Sequence, residues 1–290
     1  MYHSYLQPVN RTGENPKWVS DEPYYDDYFA IWDTFRATHP LFTLLTPSVQ
    51  TDMIRSLIDI YKHDGYMPDA RSGNDNGRVQ GGTDCDILIA DAMVKGLKNI
   101  DYETALQSMV KNAEVAPGGD ERKEGRGGIA DYNALGYVST AYERAGSRTF
   151  EYANCDFAIA TVASALGKHD VAEKYYQRAN NWQNIWNDGI ESLGHKGFLW
   201  PKNVDGTWGY FKYPMNRDFW YLPFIIMQVV RIKQQKWFVK LYRPVTIQLV
   251  KAFPEMMTPA QCPLGIFFML WVFILMPDKM YILFRVHYFR

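Results

Sequence analysis

Apolar residues recur at helical spacing through most of the stretch from Tyr28 to Trp186, and that period constrains the fold more than any other feature of the chain. The clearest stripe follows Pro47 and Ser48. Val49, Met53, Ile54, Leu57, Ile58 and Tyr61 fall on one helical face, and Gly65 ends it. Before it, Tyr28 to Thr38 reads as a short amphipathic segment stopped by Pro40. After it, the pattern predicts helices over Thr83–Leu97, Tyr102–Asn112 with Asp101 as cap, Tyr132–Arg144, Phe150–Leu166 and Asp170–Trp186. Strand alternation is almost absent before residue 198. Two glycine-rich polar loops, 66–82 and 116–130, interrupt the helices, and long loops between rigid elements often carry function. The pattern predicts a mainly α array of helical hairpins; periodicity alone does not separate a toroid from a solenoid.

The 290 residues suffice for one large domain or two small ones. With 47% hydrophobic and 22% charged residues the chain can build a core. A net charge of -1 leaves no basic field for nucleic acid. An aromatic content of 16% fits a packed helical core first, and after it a carbohydrate site in which rings cover sugar faces. Cys85, Cys155 and Cys262 make no paired framework. The sequon Asn10-Arg11-Thr12 accepts a glycan only in a secreted chain, yet Met1 to Gln7 holds no apolar signal region. The reading is a cytoplasmic chain, or one whose natural N-terminus is missing.

Several segments carry a resemblance. Trp32-Asp33-Thr34-Phe35-Arg36 is followed by His39-Pro40-Leu41, then by Asp64-Gly65-Tyr66-Met67-Pro68-Asp69 and Gly81-Gly82-Thr83. Lys123-Glu124-Gly125-Arg126-Gly127, Ser147-Arg148-Thr149 with Glu151-Tyr152, Ala165-Leu166-Gly167-Lys168 and Asn180-Asn181-Trp182 continue the series. In this order, over about residues 2–208, they resemble glycoside hydrolase family 92, most closely its fungal branch. The resemblance implies an (α/α)6 toroid preceded by a β-sandwich, so this chain is expected to hold an incomplete toroid with the sandwich missing. It implies calcium-dependent, inverting, exo-acting cleavage of α-mannosides. A glutamic acid would protonate the leaving oxygen and an aspartate pair would activate water. Mannose-containing glycans are the expected partners, a membrane is not, and secretion is the expected location.

The resemblance also implies the candidate substrate-binding residues. Trp32 and Asp33 sit where the family holds the terminal mannose, though they read equally as a core ring and a helix cap. Arg36 fits a sugar clamp or a structural ion pair. Asp69, Arg71 and Asp84 lie in or at the end of the 66–82 loop, where binding is plausible. Glu124 and Arg126 are further sugar-binding candidates, against the reading of a solvated charged loop. Glu151 belongs to a motif, but a glutamate at a helix start is usually structural.

After Trp208 the resemblance stops, so the expected boundary separates a partial glycosidase domain, 1–208, from a degenerate tail, 209–290. Back-translation of the tail, with each codon begun at the third base of the present one, permits a solution containing GNDDTGAMSSW, which resembles the family's C-terminal signature. Four positions in that frame are forced by invariant Met and Trp codons. Met256-Met257 forces Asp, Met257-Thr258 a second Asp, Trp271-Val272 Gly, and Met227-Gln228 Ala. The reading is a frameshift between Trp208 and Met227. In the present frame Pro254-Glu255-Met256-Met257-Thr258 stands where the aspartate pair belongs, and methionine cannot take a proton from water. No EGN segment, the family's usual acid, occurs. Met215-Asn216-Arg217 resembles a remnant of the calcium-associated NEP segment. Acid, base and part of the metal site are therefore expected to be missing, and no residue of this chain is assigned a catalytic or metal-binding role. The expectation is an inactive family fragment. The competing readings are a non-catalytic carbohydrate-binding or scaffold protein, and a membrane-attached helical protein using the apolar run Leu264–Met276, which is short of the roughly 20 residues a spanning helix needs.

Overall fold

Helix α3, Pro47–Asp64, carries the stripe of Met53, Ile54, Leu57 and Ile58 into the interior. Pro47 occupies the first turn, where its missing N–H leaves no bond unmade, and Gly65 closes the helix at φ 89°. Ahead of it lie α1, Ile31–Thr34, and α2, Thr38–Leu45. After it come a two-residue ribbon of β1, Arg71–Ser72, and β2, Asp75–Asn76, then α4, Cys85–Val94, and α5, Tyr102–Glu114. Asp101 caps α5 as expected, its carboxylate accepting the Thr104 N–H at 3.0 Å. The series continues with α6, Ile129–Leu135, α7, Ala145–Ala165, and α8, His169–Arg178.

The computed structural model describes residues 18–25, 27–28, 30–72, 75–76, 81–117, 123–192, 195–209, 272–276 and 279–283. Within them α2 packs on α3, α7 packs on α8, and α4 and α5 both pack against α7. Ile31, Leu57, Leu88, Ile89, Met109 and Ile159 belong to one core. Helix α7 is apolar on most of its circumference because neighbours cover it on several sides. This is the mainly α hairpin array that the period predicts.

Four expectations are corrected. Pro40 does not stop a helix; it lies in the first turn of α2, where proline is tolerated. The predicted helix Tyr132–Arg144 ends at Leu135, because Gly136 turns left-handed at φ 75° and the chain then runs irregularly to Arg144. Helix α7 begins at Ala145, five residues ahead of the predicted Phe150. The predicted helix Asp170–Trp186 stops at Arg178; a 3-10 turn, Asn181–Ile185, leads instead into an antiparallel hairpin of β3, Trp186–Ser192, and β4, His195–Leu199. Gly197 sits at φ 85° with the Trp186 ring so close that a Cβ there would lie 2.5 Å from it. Trp186 thus serves a sheet contact that a helical period cannot reveal.

The chain divides into two units, residues 1–243 and residues 244–290. In the second, β5, Val272–Met276, pairs antiparallel with β6, Lys279–Leu283. The apolar run therefore ends in a strand rather than a helix; its first part, 264–271, lies outside the described residues, as does the packing of its side chains. Among the described residues no helix is long and apolar enough to cross a membrane.

Two glycines test the packing of the first unit. Gly128 (φ 71°) and Gly167 (φ 73°) are both left-handed, but an added Cβ would meet Tyr142 and Val138 at 2.9 Å at the first and nothing within 4 Å at the second. Gly167→Ala should cost about 1 kcal/mol from backbone strain alone. Gly128→Ala should cost at least about 1 kcal/mol more through overpacking. Equal losses in urea denaturation would contradict this packing.

Candidate functional site

The deepest polar feature of the fold is Arg126. Its guanidinium has 0% exposure and donates to Asp156 at 2.6 Å and to Asp86 at 3.3 Å, while Nε donates to Thr83 Oγ1 at 3.2 Å. Thr83 Oγ1 donates in turn to Asp86 at 2.6 Å, and Arg178 of α8 donates to Asp156 at 3.1 Å. Burial pushes the Asp86 carboxyl up to about 7, against the opposing pull of Arg126. The chain 123–128, α4, α7 and α8 are thus held at one point.

Beside this network, the segment around α1 meets the 66–84 loop. The Ile31 N–H donates to the Asp69 carbonyl at 2.9 Å, and the Asp84 N–H donates to Asp69 Oδ1 at 3.1 Å. Arg36 donates to the Trp32 carbonyl at 2.8 Å and reaches Glu151 Oε1 on α7 at 3.4 Å. Gly81 and Gly82 lie over Glu151, close enough that an added Cβ would come within 3.3 Å of it at either position. Asp33, Asp69, Asp84 and Glu151 therefore gather around Arg36. Burial pushes Asp69 up to about 8, reinforced by the charges of Glu151, Asp86 and Asp33. Burial also raises Asp84 well above the carboxylate range, with Asp69 and Glu151 adding to it and Arg36 opposing. The 66–82 and 116–130 loops touch: Tyr66 OH donates to the Val115 carbonyl at 3.5 Å, and Gly125 lies against the Tyr66 ring.

The structure sorts the sequence candidates. Trp32 is half-buried, Asp33 exposed and Arg36 half-buried, while Asp69 and Asp84 are enclosed. Glu124 is half-buried beside Tyr66, whose phenol is raised by burial and by the Glu124 charge. Two further candidates lie inside ion-pair networks. Arg126 is a core ion-pair residue, since every face of its guanidinium is enclosed. Arg71 is 1% exposed and donates to Asp64 at 3.0 Å and to Asn76 at 2.7 Å beneath the Trp18 ring, which makes it a brace for its loop. Glu151 was set aside in the sequence as structural, yet it reaches the cluster. Its place in the Ser147–Tyr152 motif was the available signal.

The sequence profile of the glycosyl hydrolase family 92 catalytic domain matches residues 1–237. The chain belongs to glycosyl hydrolase family 92. An uncharacterized secreted glycosidase of Arthroderma benhamiae is 36% identical over 227 residues, spanning 72% of this chain and 26% of the relative. A family 92 inverting mannosidase from Bacteroides thetaiotaomicron superposes with TM-score 0.61 at 36% identity, over 67% of this chain and 25% of that one. A family 92 α-mannosidase from the same organism superposes at 0.58 with 27% identity, over 69% and 25%. The chain thus spans about a quarter of the length of these relatives. Its helical array is a fragment of the family's α/α toroid. The profile runs past Trp208, where the motif resemblance stopped, to residue 237.

Among the described residues no group of three or more His, Cys, Asp and Glu side chains is arranged to hold a metal ion such as the calcium that the resemblance implies. Asn216 and Arg217 lie outside them. Calcium takes roughly six to eight oxygens.

Arg126→Met should cost about 3–5 kcal/mol, because it strands Asp86 and Asp156 in the core. A melting temperature within two or three degrees of the parent would contradict the network. Asp69→Asn keeps the acceptor for the Asp84 N–H but cannot ionise. Asp69 holds its proton more tightly folded than unfolded, so the parent loses stability as pH rises from about 4 to about 8. The melting temperature of the variant relative to the parent should rise steadily across that window. A difference independent of pH would show that Asp69 is ionised throughout.

Proposed function

We propose that this chain is an α-mannosidase fragment that keeps a mannose-holding surface and lacks turnover. The observation that carries the reading is the gathering of Asp69, Asp84 and Glu151 about Arg36, whose guanidinium also donates to the Trp32 carbonyl. Carboxylates beside a guanidinium match the hydroxyls of a sugar, which both donate and accept. One of the similar solved structures is a Bacteroides thetaiotaomicron family 92 α-mannosidase in complex with mannoimidazole, 26% identical to this chain, and another is named an inverting mannosidase. By that kinship the lineage is a calcium-dependent, inverting, exo-acting α-mannosidase working on α-mannosides and N-glycans. The lineage is secreted, in keeping with the Arthroderma benhamiae relative.

The loss of turnover rests on chemistry. An inverting glycosidase needs an acid and a base roughly 6.5–9.5 Å apart, with water between them. The segment that would carry the base pair is written here as Pro254-Glu255-Met256-Met257-Thr258, which offers one carboxylate and two thioethers. The four codon-forced residues of the shifted frame support a lost reading frame over an independently evolved tail. The alternative, a carbohydrate-binding or scaffold protein selected as such, keeps the same surface and differs only in history.

With an aryl α-mannoside the chain should show no turnover, with or without calcium. A version with the GNDD frame restored and the missing segments supplied should be calcium-dependent and active. Methyl α-mannoside should bind the unrepaired chain at about millimolar affinity, and Trp32→Ala should weaken that binding at least about tenfold. Turnover by the unrepaired chain would overturn the frameshift reading. Absence of binding would overturn the retained surface.

A further inference from the structure

A polar cleft of about 440 Å3 opens where α5, α6 and α8 meet. It is lined by Glu114 at the end of α5, Asn133 on α6, Lys174, Gln177 and Arg178 on α8, and Asn181 in the turn that follows. Its volume falls within the roughly 300–1,000 Å3 of clefts that hold small molecules. No residue of the acidic cluster lines it, so it is a separate place on the fold. Its wall is held by fixed contacts. Arg178 donates to Glu114 Oε1 at 2.9 Å, to the Ala113 carbonyl at 3.1 Å and to Asp156 at 3.1 Å. The same Glu114 oxygen accepts from Tyr175 OH at 2.7 Å and pairs with Lys174 at 2.9 Å. The amides are less occupied. The Asn133 and Asn181 side chains make no hydrogen bond among the described residues. Gln177 uses only its Nε2, which donates to Glu173 at 2.9 Å.

We infer that this cleft is a second sugar site, which takes one neutral sugar residue of a glycan. Carboxamides offer N–H donors and carbonyl acceptors side by side, and a sugar hydroxyl both donates and accepts. All of the lining side chains are polar or charged, which suits a ligand that presents hydroxyls around its rim and gives little to an apolar one. The cations Lys174 and Arg178 are met by Glu114 in the wall and Asp156 behind it, so no net positive charge is left to draw an anion. The Asn180-Asn181-Trp182 motif divides in the same way. Trp182 packs in a core cluster and Asn180 donates to the Tyr176 carbonyl at 3.0 Å, while Asn181 lines the cleft. The choice of a glycan sugar over another neutral polyol rests on the α-mannoside reading above. No bond is made or broken here; the cleft gives a branched glycan a second hold on the chain.

The test is a titration of the full chain, labelled with 15N, with methyl α-mannoside and separately with N-acetylglucosamine. The carboxamide resonances of Asn133, Gln177 and Asn181 should shift together, at about millimolar affinity for at least one of the two sugars. Asn133→Ala/Asn181→Ala removes two side chains that hold nothing else. It should keep the parent's melting temperature and weaken binding, read at Gln177, at least about tenfold. Carboxamides that stay unmoved by both sugars overturn the inference, as does unchanged affinity in the folded double variant. Equal shifts with glycerol at the same concentration would mark an adventitious additive only, and tighter binding of sulfate would mark an anion site; either overturns it. The Trp32 indole N–H reports the mannose-holding surface separately. Shifts at the carboxamides alone remove that surface and leave the cleft, and shifts at Trp32 alone remove the cleft and leave the surface.

Discussion

The fold is organised around one enclosed guanidinium. Arg126 takes no part in the surface, yet Asp86 on α4, Asp156 on α7 and, through Asp156, Arg178 on α8 all converge on it. A buried ion pair is not a strong source of net stability, because desolvating each partner offsets most of the attraction. Its effect here is on arrangement. Any packing of α4, α7 and the 123–128 segment that separated these groups would leave two carboxylates and a guanidinium uncompensated in the core. Apolar side chains tolerate small shifts of register; this cluster does not. Tyr132 reinforces it by donating to Asp156 at 2.9 Å and stacking edge-on against Tyr152, whose hydroxyl holds the Gly127 carbonyl.

The acidic site is a consequence of that arrangement. Thr83 and Asp86 are held by Arg126, so the intervening Asp84 is placed as well, and Asp69 follows through the Asp84 N–H. Glu151 lies five residues before Asp156 on α7 and is carried to the same region. The site thus stands on rigid elements, and the backbone bond from Ile31 to Asp69 ties the α1 segment to it.

The tail contrasts with this. Between residues 1 and 209 the described segments share cores, caps and ion pairs. In the second unit the described structure is a single hairpin. A two-stranded ribbon is marginal by itself.

The amino-acid sequence by itself determined the mainly α class, the course of α3, the Asp101 cap, the glycine stop at Gly65, and the family. These depend on spacing and turn chemistry over a few residues, which a linear reading can see. It did not determine that Trp186 belongs to a hairpin, that Pro40 starts a helix rather than ending one, or that Arg71 and Arg126 are braces. Tertiary structure decided those. An arginine in a glycine-rich loop reads the same whether water or two aspartates surround it, because burial is a property of the surroundings and not of the residue. The same reason hid the pairing of Asp69 with Asp84. Fifteen positions separate them, and only the tertiary fold brings the Asp84 N–H onto the Asp69 carboxylate.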